Sequence, residues 1–200
     1  MKSIRLKYCT DNSCTFKFVN RANLKDFQVV EKTGSVFIEL TLKTGESVSL
    51  LGSAETIDAF NKLNIEYKNC ALLLVGDSDY VQTLKFKNTN KNIHFLGYRS
   101  NVSDYMQLSN VGVLPSYFSS ESQPLVIVEY LCYGLPVIAT DIGEISNMLE
   151  VDGKKAGVLI SVGSKRSITN YLYDSMKFLY CNKLALDKYS INAKWIFKQK

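Results

Sequence analysis

Two carboxylates, Glu121 and Glu129, bracket the run Glu121-Ser122-Gln123-Pro124-Leu125-Val126-Ile127-Val128-Glu129. The first lies on a loop just before a helix. Its carboxylate either accepts hydrogen bonds from ligand hydroxyls or is an ordinary helix-start acid, stabilised by the dipole by about 0.3–1 kcal/mol. The second lies inside an apolar helix, where an acidic side chain needs a polar partner. It could accept two hydrogen bonds from vicinal hydroxyls, as on a ribose, or pair with a surface lysine. Between them, Leu125 and Val126 supply backbone N–H groups in the first helical turn, an arrangement suited to phosphate unless water or a cap satisfies them. Pro124 has no N–H, so the donors come from the residues on either side.

The elements that must position these groups follow from the flanking pattern. Pro124 reads as the first helical residue and Gly134 as the stop, the asymmetry expected of helix ends. Pro136 cannot continue the helix, and Val137-Ile138-Ala139 reads as a buried strand. Upstream, apolar strands are expected at Ala71–Val75, Ile93–Leu96 and Val111–Leu114, and downstream at Val158–Ile160. Helices are expected over Ala54–Leu63 with Ser53 as N-cap, over Tyr80–Lys85 and over Val102–Leu108, with closing helices over Ser167–Tyr180 and Leu184–Phe197. Apolar strands alternating with helices imply an α/β fold, a Rossmann-like parallel sheet covered on both faces. Right-handed crossovers put every strand's carboxyl end on one edge, where ligands of open α/β sheets bind. That edge collects Gly76, Asp77, Gly97, Tyr98, Ser116, Glu121, Thr140, Asp141 and Gly143.

Gly76 lets the backbone turn sharply after Leu74-Val75, and Asp77 reads as a residue that shapes the loop. Gly143 either permits close backbone approach to a ligand or makes a plain turn. His94, inside a strand, reads as a packed histidine and not as a base.

Residues 1–52 have a different character. Short β-rich pieces run over Ile4–Cys9, Thr15–Val19, Phe27–Val30, Val36–Leu42 and Ser47–Leu51. Lys43-Thr44-Gly45-Glu46 reads as a turn joining the last two into a hairpin. These residues are therefore expected to form a β-rich N-terminal extension, and residues 53–200 the main domain.

The chain of 200 residues is 46% hydrophobic and 22% charged, which excludes intrinsic disorder and permits a core without disulfides. Its net charge of +5 is mild; it suits an anionic ligand or an acidic membrane surface and calls for no nucleic acid. The five cysteines form no Cys-x-x-Cys pair, and a single histidine offers no zinc set, so no metal site is expected. Cys70 and Cys132 lie in apolar runs and read as small core residues. Cysteine usage and the absence of a signal-peptide pattern point to a reducing cytoplasm. Nothing approaches the length of a membrane span. The lysine-rich stretch Lys183–Lys200 either packs as a closing helix or lies on the inner face of an anionic membrane.

The runs Leu74-Val75-Gly76-Asp77, Phe95-Leu96-Gly97-Tyr98, Pro115-Ser116, Glu121 to Glu129 and Gly134-Leu135-Pro136-Val137-Ile138-Ala139-Thr140-Asp141 together resemble the donor-binding domain of retaining GT-B glycosyltransferases. The resemblance covers about residues 53–162 and implies one half of a GT-B fold with a nucleotide-sugar donor, UDP- or GDP-linked. By position, Glu121 matches the catalytic-site glutamate that contacts the donor sugar's hydroxyls. Glu129 matches the glutamate that holds the ribose. Ser122, Gln123, Leu125 and Val126 would face the sugar and diphosphate, with Gly76 and Ser116 completing the donor pocket. The family commonly needs no metal, so helix termini and basic side chains would stabilise the leaving diphosphate.

Two departures accompany the resemblance. The family's diphosphate clamp is an Arg followed by a Lys, but Leu51 stands where the Lys is expected, and no Arg occurs between Arg21 and Arg99. The family also has an N-terminal acceptor domain, for which residues 1–52 are too short. The chain is then either a fragment or one completed by a partner chain. The leading expectation is sugar transfer to a glycan or lipid-linked acceptor in surface polysaccharide biosynthesis. A truncated, non-catalytic binding or protein-interaction module is the second, and an α/β enzyme of the sugar-nucleotide epimerase kind the third.

Overall fold

The computed structural model describes residues 3–10, 13–20, 35–40, 53–117 and 123–199. In the first three strands it describes the backbone alone, Phe37 excepted. Strands β1 (Ser3–Thr10) and β2 (Ser13–Asn20) pair antiparallel in a two-stranded sheet of their own. The main sheet has six strands: β3 (Ser35–Leu40), β4 (Cys70–Val75), β5 (Ile93–Gly97), β6 (Val111–Leu114), β7 (Val137–Thr140) and β10 (Gly157–Ile160). Between them lie helices α1 (Ser53–Glu66), α2 (Asp79–Lys87), α3 (Val102–Leu108), α4 (Leu125–Cys132) and α5 (Ile145–Leu149), and the small antiparallel pair β8 (Glu150–Val151) and β9 (Lys154–Lys155). Helices α6 (Lys165–Cys181) and α7 (Lys183–Phe197) close the chain.

Every pairing in the main sheet is parallel, and the spatial order is β10-β7-β6-β3-β4-β5. The chain thus starts at the centre, winds outward through β4 and β5, then returns to wind the other way from β6. This is the doubly wound nucleotide-binding order, with its switch point between β3 and β6.

Burial on both faces explains the uninterrupted apolar strands. Along β4, Ala71, Leu73 and Val75 pack into one core, while Cys70, Leu72 and Leu74 pack into the other. The first core includes Tyr105 and Met106 of α3, Val126, Ile127, Tyr130 and Leu131 of α4, and Ala193 and Ile196 of α7. The second includes Ile57, Phe60 and Leu63 of α1 and Ile168, Leu172 and Met176 of α6. Alternation with a period of two serves both layers at once.

Four expectations are corrected. The boundary at residue 52 falls inside the domain, because Ser35–Leu40 is the central strand. Its two edges are already taken by β4 and β6, so it has no edge left for a hairpin with Ser47–Leu51. Residues 47–51 and 27–30 themselves lie outside the described residues. Pro124 is the N-cap, with extended backbone, and not the first helical residue. Helix α4 carries an exposed stripe of Leu125, Glu129 and Cys132 despite its apolar run. Cys132 is accordingly a surface thiol, while Cys70 is a core residue as expected. The short elements α5, β8 and β9 carry no periodic signal and were not expected.

Helix α4 ends as its sequence dictates. Gly134 adopts φ 68°, its amide donates to the Leu131 carbonyl, and the Leu135 amide donates to the Tyr130 carbonyl. This is the Schellman arrangement, for which a left-handed glycine is favoured. On the strand beneath, Gly112 leaves room for the buried Tyr130 ring, and a Cβ built there would sit 2.6 Å from two ring carbons. The Tyr130 hydroxyl donates to the Val113 carbonyl at 3.2 Å, which holds the ring flat on β6. Gly112→Ala is therefore expected to cost about 1–3 kcal/mol by overpacking. Urea unfolding checks this, and unchanged stability would contradict the close packing of α4 on β6.

Candidate functional site

The carboxyl ends of the strands create the candidate site. Beyond β4, the Gly76 amide donates to the Gly97 carbonyl at 2.9 Å, tying the ends of β4 and β5 together. Beyond β6, the Ser116 carbonyl accepts a 2.6 Å hydrogen bond from Thr140 Oγ1, tying the ends of β6 and β7. Gly76 and Ser116 follow strands that flank β3 on either side, so strand spacing alone puts them roughly 10 Å apart across the switch point. Asp77 accepts from Gln82 Nε2 at 2.6 Å, and Ser78 caps α2 through the Val81 amide, so this loop is built by local hydrogen bonds. His94 is half-buried on β5, where desolvation lowers its pKa, in keeping with a packed residue.

Helix α4 presents its N-terminus at the same edge, directly after β6. Pro124 is buried and Gln123 exposed. Among the described residues no side chain caps the helix, and the first ladder bond is donated by Ile127 to the Pro124 carbonyl at 2.9 Å. The preceding Leu125 and Val126 amides thus point out of the helix start, where its dipole favours an anion. Leu125 is 70% exposed, and Glu129 lies one turn further along the same open stripe. Its carboxylate is exposed and in no ion pair among the described residues, so the surface-lysine partner that the sequence offered is not seen there. Glu121, Ser122, Lys43 and Leu51 lie outside the described residues.

On the opposite face of the edge, the starts of α1 and α6 enclose a cleft of about 430 Å³, lined by Ala54, Glu55, Asp58, Lys62, Lys165, Arg166 and Thr169. Glu55 is only 3% exposed, and its carboxylate lies 4.0 Å from the Lys165 ammonium. The Tyr117 hydroxyl, just past β6, is buried and has no well-formed hydrogen bond among the described residues. Burial, followed by the nearby Glu55 charge, pushes its pKa up to about 12. None of these contacts is local in sequence. Glu55 and Lys165 meet only because α1 and α6 pack side by side, so no motif announces them.

Residues 50–176 match the model of the glycosyl transferases group 1 family. The chain belongs to this family. Relatives include the UDP-Gal:α-D-GlcNAc-diphosphoundecaprenol α-1,3-galactosyltransferase of Escherichia coli, 27% identical over 77% of this chain and 40% of that protein. Another is TuaC of Bacillus subtilis, named for teichuronic acid biosynthesis, 32% identical over 68% of this chain and 34% of its own length. The chain thus spans less than half of the curated relatives it matches. Among solved structures, the C-terminal domain of the group 1 glycosyl transferase LpcC from Francisella tularensis superposes with a TM-score of 0.67 at 20% identity, covering 89% of this chain and 92% of that one. Anabaena HepE, solved with UDP and glucose, gives a TM-score of 0.67 at 22% identity over 84% of this chain and 44% of its own. The fold is therefore the α/β, Rossmann-like C-terminal half of a GT-B glycosyltransferase.

Within this family member, Gly76, Ser116, Gln123, Leu125, Val126 and Glu129 all lie on or beside the carboxyl edge of the sheet. The basic side chains Lys62, Lys165 and Arg166 line the cleft between α1 and α6, and the sequence had drawn no attention to them. Among the described residues no group of three or more His, Cys, Asp or Glu side chains could hold a metal ion. No described helix is long and apolar enough to cross a membrane.

The buried Tyr117 has a consequence for pH. Its folded-state pKa lies above the ordinary value of 10, so the unfolded chain loses the phenolic proton first and stability falls as pH rises from about 10 towards 12. Tyr117→Phe removes both this sensitivity and an unsatisfied hydroxyl. The variant is expected to be as stable as the parent at pH 7 and more stable than it at pH 11. Thermal melts across that range check this, and parallel curves for the two proteins would contradict it.

Proposed function

We propose that this chain is the donor-binding half of a glycosyltransferase that moves a sugar from a UDP- or GDP-linked donor to a glycan or lipid-linked acceptor in surface polysaccharide biosynthesis. The observation that carries the reading is the start of α4 at the switch-point edge, capped by no described side chain, with an exposed carboxylate one turn along the same face. The diphosphate fits the Leu125 and Val126 amides, where fixed dipoles meet the charge that develops as the leaving group departs. Glu129 would hold the ribose hydroxyls, Glu121 the sugar near the reaction centre, and Ser122, Gln123, Ser116 and Gly76 the remaining walls. No step in this scheme requires a metal or other cofactor. The galactosyltransferase relative, named for a diphosphoundecaprenol-linked acceptor, supports a lipid-linked acceptor, and the GtfA/B complex among the structural neighbours supports acceptor contacts from a partner chain or further domain, with the work done at the inner face of the membrane.

A second reading, a donor-binding module without turnover, is favoured by Leu51 at the expected lysine position. Calorimetric titration with UDP, GDP and their sugars, followed by assays of donor hydrolysis and transfer, separates the two. Glu129→Ala is expected to weaken binding roughly 10- to 100-fold, the worth of hydrogen bonds to a charged group. Glu121→Gln is expected to keep affinity for the free nucleotide while losing transfer. Failure of every nucleotide sugar to bind near millimolar concentration would contradict the donor-site proposal.

A further inference from the structure

The closing helix α7 buries one apolar face in the core and carries a second apolar line opposite it. Leu186, Ala193 and Ile196 are buried. Opposite them, Leu184, Ile191 and Trp195 fall at spacings of seven and four, which align on one side of a helix. Leu184 is 84% exposed and Ile191 68%, while Trp195, half-buried at the end of the line, anchors it against the first core. Single exposed apolar residues, such as Phe86 on α2, are ordinary; an aligned row is not.

Lysines surround the row. Lys188 and Lys198 share its face, Lys194 flanks it, and Lys154 on β9 places its ammonium 4.1 Å from the centre of the Trp195 ring. All four are exposed and in no ion pair among the described residues. The local acids are largely spent: Asp187 binds Lys183 at 2.6 Å and Glu150 binds Lys155 at 3.5 Å, leaving Asp152 at the β8–β9 turn. A row of apolar side chains, with a tryptophan and a border of long cationic ones, matches a bilayer surface. There the apolar groups enter the acyl boundary and lysine stems extend along it with their charges at the headgroups.

We infer that the outer face of α7, with Lys154 of β9, is a docking surface for an anionic lipid bilayer. Charge complementarity selects acidic headgroups over neutral ones. The helix meets α4 at that helix's C-terminal end, where Ser190 Oγ donates to the Gly134 carbonyl at 2.8 Å, away from the first-turn amides of α4. The inference stands on this surface alone, and donor titration scores the proposed function independently.

Trp195 is the sole tryptophan in the chain, so its fluorescence reports on the patch directly. The 200-residue chain is titrated with phosphatidylcholine vesicles and with vesicles of phosphatidylcholine and phosphatidylglycerol. A blue shift is expected with the anionic vesicles only, reversed as salt shortens the screening length to roughly 3 Å near 1 M. Lys188→Glu with Lys198→Glu should abolish the shift. Leu184→Ser with Ile191→Ser should weaken binding at least about tenfold, a loss of about 1.4 kcal/mol. Phe86→Ser should bind as the parent does, and circular dichroism establishes that each variant is folded. An absent shift, an equal shift with neutral vesicles, or parental binding by the folded lysine variant would overturn the inference. So would a solution dimer dissolved by Leu184→Ser with Ile191→Ser, which would assign the row to a second copy of the chain.

Discussion

The backbone hydrogen bonding of β3 is the constraint on which the remaining architecture depends. The strand is paired parallel on both sides, with β4 over its full length and with β6 through Phe37–Glu39. Parallel neighbours cannot be joined by tight turns, so each link must travel back along a face of the sheet, as a helix or a long loop. Those connections bury both faces, which is why the strands read as unbroken apolar runs and why two separate cores exist. The same winding gathers every strand's carboxyl end on one edge and reverses direction between β3 and β6.

At that edge, the proposed chemistry relies on geometry more than on unusual residues. Hydrogen bonds between neighbouring strand ends, Gly76 to Gly97 and Thr140 to Ser116, hold the rim. Tyr130, lying flat on Gly112, fixes α4 against β6 and so sets where its first-turn amides face. Family membership, the switch point and the open α4 terminus then converge on one region without relying on any single side chain. Two of the three basic groups in the cleft, Lys165 and Arg166, come from α6, a helix far away in sequence. A motif search along the loop after β3 therefore finds no clamp even though cations stand close to the start of α1.

Much of this was legible in the sequence where local signals were strong. Helix α3 and strand β6 fall at the expected residues because turn residues bound both. Helix α4 stops at Gly134 because only a left-handed residue completes that cap easily. The failures have physical causes too. The apolar stretch around Phe37 looks the same whether its partner is parallel or antiparallel, and the Lys43–Glu46 turn signal favoured the wrong choice. The apolar run of α4 concealed an exposed stripe, since Leu125 is apolar yet faces outward, and the pattern alone left Glu129 open between a ligand-binding and a surface acid. Glu55, Tyr117, Lys165 and Arg166 carried no pattern because their proximity is tertiary. Glu121 and Ser122 lie outside the described residues, so their roles rest on the family resemblance.

Amide chemical-shift mapping of the isotope-labelled chain during titration with UDP and UDP-glucose tests the central claim most directly. The account predicts that the largest saturable shifts fall on Leu125 and Val126, with smaller ones at Gly76, Ser116 and Glu129. Shifts confined to the cleft between α1 and α6, or saturable binding that leaves the α4 amides unmoved, would contradict it.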